Sequence, residues 1–293
     1  MRERIVFMGG VLFAVVAIAA VGADAKMISG NYCSVAQIVD YPAGVYPAWR
    51  WNDLTSPAGY GPTGSKADPI YEDGSAAVGT TVLWSTSDGG SQNTNDNVFR
   101  PFPPVTLGGD VDDGHDQMMS GYLQASKFST SEPVITLRVT GLDVAAFGGS
   151  YSVILYFDGD DDVASNTSRA MFRVWDSQAD FIGGGSPLAT YYGRDKAGPR
   201  VTPGAEYAID NDGTTPLAVY TLINSTDEFN PTEGNYVQFD NLTGSEFFVR
   251  ITGVAGQHGV ALNGFQIVPE PASVAFLALG SLALLHRRRS AGR

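Results

Sequence analysis

The stretch GNYVQFDNLTGSEFFVRITGVAGQHGVALNGFQIV, residues 234–268, decides the fold because it repeats one pattern three times. Short apolar runs at 236–239, 247–252 and 260–268 are separated by turns rich in Gly and Asn. In the second run, Phe247, Val249 and Ile251 alternate with other residues, so that Arg250 lies on the opposite face. Runs of this length between Gly-containing turns predict β-strands.

The same pattern continues toward the N-terminus. Residues 134–139 (VITLRV) alternate between an apolar and a polar face, whereas 152–157 (SVILYF) is apolar throughout. A uniform apolar run of this length predicts a central strand that is buried on both sides. Further strands are predicted at 80–84, 171–175, 206–209 and 217–223. No interval carries an amphipathic helix of crossover length, so we predict one all-β sandwich domain over residues 26–268.

Composition and charge limit the partners of this domain. The chain has 293 residues, including 35 glycines and 16 prolines, which is typical of a turn-rich protein. Its net charge is −13, and because residues 269–293 contribute +3, the body carries −16. Such a surface repels nucleic acid, so no nucleic-acid partner is expected. The single cysteine, Cys33, excludes an intramolecular disulfide.

The N-terminus predicts export. Arg2 and Arg4 precede an apolar run at 5–21, and Ala23-Asp24-Ala25 has the small-x-small pattern of a signal peptidase site. We therefore predict a helical signal peptide over residues 1–25, with cleavage between Ala25 and Lys26. An uncleaved membrane anchor is the alternative.

The C-terminus is unlike the acidic body. Pro269, Glu270 and Pro271 precede a short apolar run at 272–285. The run is followed by an arginine cluster, Arg287, Arg288 and Arg289. Because the body is predicted to be exported, the positive-inside rule keeps these arginines in the cytoplasm, and the run would cross the membrane as a helix. At ~1.5 Å per residue it covers about 21 Å of a ~30 Å hydrocarbon core, which predicts a marginal, transient span.

The order of a Pro-Glu-Pro motif, an apolar segment and a terminal arginine cluster resembles the PEP-CTERM sorting signal. Proteins with this signal are exported by Gram-negative, biofilm-forming bacteria and processed by the membrane protease exosortase. The resemblance implies that Pro269, Glu270 and Pro271 form the recognition element and that the segment 269–293 is a sorting signal. The two prolines favour extended backbone, which predicts an accessible strand for the protease.

The body carries a second resemblance. Residues 234–268, together with WNDL at 51–54 and YSVILYFDGD at 151–160, resemble the galactose-binding-like bodies of PEP-CTERM proteins. That resemblance implies a jelly-roll β-sandwich in a secreted setting, and it supplies no active site.

One acidic loop is a candidate metal site. Asp158, Asp160 and Asp162 alternate like the first three ligands of a calcium loop, and carboxylate oxygens suit Ca²⁺. The pattern then departs from an EF-hand, because Val163 replaces the glycine and Arg169 the bidentate glutamate. A solvated acidic loop is the alternative, as it is for the second acidic stretch at 110–116. No other cofactor is expected.

The sequence leaves two functions open. The first is a non-enzymatic protein of the cell surface or extracellular matrix, transiently anchored in the inner membrane and processed by signal peptidase and exosortase. Association with exopolysaccharide is what the family resemblance implies. The second is a secreted carbohydrate-active enzyme that uses two carboxylates across a cleft. The aromatic residues that could stack on sugars or fill the core are Trp49, Trp51, Trp84, Trp175, Tyr191 and Tyr192.

Overall fold

The computed structural model of the protein describes residues 26–32, 43–54, 63–87, 99–101, 121–125, 132–157, 169–194, 220–253 and 260–270. The predicted signal peptide, the strand predicted at 206–209 and everything after Glu270 lie outside these residues. Within the described part of the chain, no helix is long and apolar enough to span a membrane.

Strands dominate the described residues, which confirms the all-β prediction. In chain order they are β1 (Ile28–Asn31), β2 (Asn52–Asp53), β3 (Thr63–Ala67), β4 (Thr81–Ser87), β5 (Phe99–Pro101), β6 (Gly121–Ala125), β7 (Val134–Thr140), β8 (Tyr151–Tyr156), β9 (Arg169–Trp175), β10 (Ala189–Arg194), β11 (Leu222–Ile223), β12 (Thr232–Glu233), β13 (Tyr236–Leu242), β14 (Glu246–Gly253), β15 (Val260–Leu262) and β16 (Gly264–Pro269). A short helix, α1 (Gln178–Gly183), follows β9, and a 3₁₀ turn (Val144–Phe147) precedes β8.

Two of the three sheets pack face to face. The six-stranded sheet has the order β11-β13-β8-β16-β1-β2, and the seven-stranded sheet has the order β12-β10-β9-β14-β7-β4-β3. A small third sheet has the order β15-β6-β5. The edge pairs β1–β2, β10–β12 and β11–β13 are parallel, and the other pairs are antiparallel.

The main core lies between the two large sheets. Both sheets contribute fully buried side chains to it, among them Val153, Leu155 and Phe265 from one sheet and Leu137, Phe172 and Val249 from the other. Aromatic rings join the sheets: the ring centroids of Phe157 and Phe172 are 5.2 Å apart in an edge-on contact. A sandwich core of this kind is what alternating strands predict, because each strand turns its apolar side chains inward.

The central strand β8 is buried on both faces, as its apolar sequence predicts. Val153 and Leu155 face the main core, whereas Ile154 and Tyr156 face a second cluster on the outer side. Residues 43–54 cover that outer side, and the rings of Trp51 and Tyr156 have centroids 6.1 Å apart.

A buried amide holds this cover in place. Gln266 on β16 donates from Nε2 to the carbonyl of Tyr46 at 2.7 Å, and its Oε1 accepts a short bond from the Tyr156 hydroxyl. The same hydroxyl accepts a bond from the backbone N–H of Val45 at 2.7 Å. The outer face of the six-stranded sheet is therefore sealed by hydrogen bonds as well as by apolar packing.

The seven-stranded sheet is different, because its strands alternate. Along β7, Ile135, Leu137 and Val139 are fully buried in the core, and the residues between them are half-buried on the outer face. The alternation predicted at 134–139 is thus confirmed in β7. In its partner β14, Phe247, Val249 and Ile251 face the core as predicted, but Phe248 and Thr252 on the outer face are also buried.

Two predictions about the last strand and the Pro-Glu-Pro motif differ from the structure. The strand predicted at 260–268 is two strands, β15 and β16, in different sheets. The last strand also extends past Val268, because Pro269 pairs with Tyr151 of β8. Glu270 is 8% exposed, so the accessibility predicted at the Pro-Glu-Pro motif is wrong for this residue, whereas Pro269 is half-buried.

Candidate functional site

Several predicted site residues lie outside the described residues. These are the signal-cleavage residues Ala23 and Ala25, the calcium candidates Asp158, Asp160 and Asp162, and the sorting residues Pro271, Arg287, Arg288 and Arg289. Within the described part, no three His, Cys, Asp or Glu side chains come together as a metal site would require. The calcium loop and the cleavage sites therefore stay predictions.

Lys26 and Glu270 are the two described ends of the chain, and both are tied to the fold. The ammonium group of Lys26 pairs with Asp73 and donates to the Ser75 hydroxyl at 2.8 Å. Asp73 is exposed, and the bond from Lys26 holds the pKa of its carboxyl well below the usual range. The sandwich is thus anchored from the residue that directly follows the predicted cleavage site.

Glu270 is held by the neighbouring strands. Its Oε1 accepts from the Ser152 hydroxyl at 2.7 Å and from the backbone N–H of Asn241 at 2.6 Å. The Ser152 hydroxyl also lies 2.7 Å from Oδ1 of Asp240, so two carboxylates share one hydroxyl. Ser152 is fully buried and Glu270 nearly so, whereas Asp240 is exposed. Because both carboxylates are bonded to the same hydroxyl, they do not face each other across an open cleft.

The predicted aromatic residues mostly pack inside the protein. Trp51, Trp84 and Trp175 are at most 3% exposed, and Tyr191 packs against the main core. Trp49 is the exception, with 51% of its surface exposed. Core packing, rather than sugar stacking, therefore explains the three buried tryptophans and Tyr191.

An open groove of about 790 Å³ lies on the outer face of the seven-stranded sheet, and we name it the sheet groove. Strands β3, β4, β7 and β14 form its floor, and Phe181 and Ile182 of α1 form one wall. The polar side chains that line it are Thr63, Ser65, Ser85, Thr136, Arg138 and Arg250. The lining residues that the structure describes include no Asp or Glu, although the body as a whole is strongly acidic.

The floor is organised by strand register into a polar row. Arg250 on β14 is opposite Thr136 on β7, which is opposite Ser85 on β4. Ser85 is in turn opposite Thr63 on β3, and its hydroxyl lies 2.5 Å from that of Thr136. Because directly paired residues share a face, the register places hydroxyl and guanidinium groups side by side across four strands.

The wall forms because the sequence after β9 favours a single helical turn. Ser177 caps α1, and its hydroxyl accepts from the backbone N–H of Asp180 at 3.1 Å. Gly184 ends the helix in the left-handed conformation, with φ of 73°. Phe181 is thereby pressed onto the sheet, where its ring stacks on Phe248 with centroids 5.4 Å apart.

Two arginines of the groove gather around that ring. The guanidinium of Arg250 lies 4.8 Å from the centroid of the Phe181 ring, and that of Arg138 lies 5.2 Å from it. A third arginine, Arg173 on β9, is directly opposite Arg250 and donates to the Thr252 hydroxyl at 3.1 Å. The outer face of an acidic protein thus carries a local cluster of positive charge.

The charges of the arginine cluster shift the pKa of one of its own members. Partial burial lowers the pKa of the Arg173 guanidinium below its ordinary value, and the neighbouring charge of Arg250 lowers it further. Among the described residues, no carboxylate lies within ion-pair distance of Arg138, Arg173 or Arg250. The sequence places Arg250 on the polar face of its strand, but it does not show the register with Arg173, so a role for Arg250 could not be predicted.

Comparison with known proteins identifies no family. No protein-family model and no curated protein matches the chain. Among solved structures, it is similar to the enzymatically active domain of tailspike protein 4 of bacteriophage CBA120 at 9% sequence identity, over 75% of this chain and 22% of that chain. The TM-score is 0.28, a likeness that establishes neither a shared fold nor a shared activity.

Proposed function

We propose that the chain is an exported, non-enzymatic surface protein whose sandwich binds polysaccharide in the sheet groove. The observation that carries the proposal is the unequal covering of the two large sheets. The outer face of one sheet is sealed by residues 43–54, whereas that of the other presents a groove lined by hydroxyls and guanidiniums. Hydroxyl-rich, open grooves suit ligands that offer many hydroxyl groups along an extended chain.

Several features support a binding role over a catalytic one. Glycoside hydrolysis needs two carboxylates that face each other across the substrate, about 5–10 Å apart. Among the described residues that line the groove, there is no Asp or Glu. Asp240 and Glu270, which lie near each other, are both bonded to the Ser152 hydroxyl at the end of the sandwich.

The jelly-roll assignment belongs to the same proposal. Strands β7 to β9 and β13 to β16 pass from one sheet to another at each step, which supports a jelly-roll path over a simple meander.

The sorting signal is also part of the proposal: the protein is exported through residues 1–25 and processed at the Pro-Glu-Pro motif of segment 269–293. Intact-mass analysis of the exported protein tests this part. A mass that still includes the arginine cluster would contradict processing.

The binding role is tested by blocking the groove. Ser85→Tyr would fill the middle of the polar row, and Thr81→Tyr is a matched control on the same strand and face, outside the groove. Full-length protein is run through native gels that contain polysaccharides, and mobility is compared with gels that contain none. We expect Ser85→Tyr to lose retention at least about tenfold while Thr81→Tyr binds like the wild type. Equal binding by both variants would place the ligand elsewhere.

A further inference from the structure

Two arginine pairs on the outer face of the seven-stranded sheet differ in one respect. Arg169 is directly opposite Arg194, and Arg173 is directly opposite Arg250. The first pair has a counter-ion from the chain, because Arg194 is bonded to the carboxylate of Glu233 at 3.2 Å. The second pair has no carboxylate within ion-pair distance among the described residues.

The second pair is an unfavourable arrangement by itself. Like charges on directly opposite strand positions repel each other, and Arg173 is half-buried, which strengthens the repulsion. Glu132 acts on Arg173 only through its field, from an exposed position. Local conflicts of this kind are expected at functional sites, where a bound group completes the arrangement.

We infer that the sheet groove binds an acidic polysaccharide whose sugar units carry carboxylates, and that Arg250 and Arg138 hold one such carboxylate. The inference rests on the proposed polysaccharide-binding function and adds the chemical class of the ligand. A ligand carboxylate at Arg250 would neutralise the Arg173–Arg250 pair, as Glu233 neutralises the Arg169–Arg194 pair. The planar guanidinium matches the two oxygens of a carboxylate, which makes it a specific partner for this group.

The rest of the groove fits a sugar chain around that carboxylate. From Arg250 the polar row continues over three strand spacings to Thr63, a distance of about 14 Å, which exceeds the width of one pyranose ring. Its hydroxyls, on Thr136, Ser85 and Thr63, can donate to and accept from sugar hydroxyls. The arginine cluster is a local feature of a body of charge −16, which argues against the continuous phosphate contacts that nucleic acid requires.

The experiment compares one polymer with and without its carboxylates. Full-length protein is titrated with polygalacturonate and with the same polymer after its carboxylates are reduced to neutral alcohols. We expect at least about tenfold tighter binding to polygalacturonate, because hydrogen bonds to a charged group are the stronger kind. Arg250→Gln and Arg138→Gln should each lose about tenfold, whereas Arg169→Gln, which removes the same charge from the same face, should bind like the wild type.

Arg250→Lys separates the guanidinium fork from its charge. We expect it to bind between the wild type and Arg250→Gln, because lysine keeps the charge and loses the paired geometry. Thermal melting of every variant is measured in parallel. Because the arginines are half-exposed, each variant is expected to melt within about 3 °C of the wild type. Should Arg250→Gln not fold, Arg138→Gln tests the same carboxylate contact from the neighbouring strand.

Each of the remaining outcomes would contradict a specific part of the inference or of the proposed function. Equal binding of the reduced polymer would overturn the acidic class while leaving polysaccharide binding in place. Binding of neither polymer would overturn both proposals. Tighter binding of dextran sulfate than of polygalacturonate would show a preference for sulfate and overturn the carboxylate assignment. An equal loss in Arg169→Gln would mean that overall charge, rather than the groove, attracts the polymer.

Discussion

The two outer faces of the sandwich differ in what covers them. Outside the six-stranded sheet, Trp51 and Ile154 pack together and the Gln266 amide is bonded to the covering segment. Outside the seven-stranded sheet, Arg138, Arg250 and the hydroxyls of Thr136 and Ser85 remain half-exposed around a groove. One face is therefore part of the core, and the other is available to a ligand.

The polar groups on the two faces therefore have different roles. On the covered face they join the covering segment to its neighbours: the amide of Asn52, a residue of that segment, donates to the carbonyls of Ser29 and Ile70, each at 2.9 Å. On the open face the arginines repel one another, and their contacts are to rings and hydroxyls. The comparison predicts that substitutions on the covered face cost stability and that those on the open face cost binding.

Of the substitutions on the two faces, the loss of Trp51 should cost the most stability. Trp51→Ala removes a side chain that is 1% exposed and packs on Tyr156, so we expect the free energy of unfolding to fall by about 3–5 kcal/mol. Trp49→Ala is the matched control, because Trp49 is half-exposed and two residues away, and we expect a change of about 0.5 kcal/mol or less. Urea titration measures both. Similar losses would mean that the segment 43–54 does not seal the sheet.

The next effect concerns the buried amide. Gln266→Leu keeps the approximate volume but leaves the carbonyl of Tyr46 and the hydroxyl of Tyr156 without their partner, at a cost of about 1–3 kcal/mol. On the open face, Ser85→Val removes a hydroxyl that solvent can replace, and we expect a change within about 0.5 kcal/mol. If the two substitutions had equal cost in urea titration, the distinction between the two faces would fail.

The stability of the covered face should also depend on alkaline pH. Burial raises the pKa of the Tyr156 hydroxyl well above its ordinary value of 10.0, so the folded protein keeps this proton while the unfolded chain loses it. The stabilising effect is complete below about pH 10 and is lost as the pH rises above it, at about 1.4 kcal/mol per pH unit for one such tyrosine. Urea titrations at pH 9, 10.5 and 11.5 should show a shallower decline in Tyr156→Phe. An unchanged slope would contradict the role of Tyr156.

Much of this fold can be predicted from the sequence, and the reason is periodicity. The uniform run in β8 predicted a strand covered on both faces, and the alternation in β7 and β14 predicted strands with one polar face. Those patterns follow directly from which faces are buried. The role of residues 43–54 as a cover could not be predicted, because it depends on contacts across more than a hundred residues of sequence.

The strand β3 shows the same limit on the open side. Its sequence, TGSKA, has little β-propensity, yet it pairs with β4 along the edge of the groove. Gly64 is opposite Trp84, and a Cβ atom there would lie 2.2 Å from the indole ring, so the missing side chain is what admits the tryptophan. The groove depends on this pairing and on the Arg173–Arg250 register, both of which are long-range facts.

A substitution of Arg250 should change stability very little, and it tests the open face directly. Arg250→Thr removes the repulsion with Arg173 and the contact with the Phe181 ring, two terms of opposite sign and each below about 1 kcal/mol. We expect a net change in the free energy of unfolding within about 0.5 kcal/mol, far less than any loss on the covered face.

The salt dependence of stability distinguishes the Arg173–Arg250 repulsion from the contact between Arg250 and the Phe181 ring. Because added salt screens the Arg173–Arg250 repulsion, the wild type should gain more stability between 0.01 and 0.5 M NaCl, as rough bounds, than Arg250→Thr gains. Arg169→Thr removes the same charge from a pair that Glu233 already neutralises, so its response should stay close to that of the wild type. Identical salt responses in the two variants would mean that the Arg173–Arg250 pair is no more strained than its neutralised neighbour. The open face would then lose its strongest sign of a missing carboxylate.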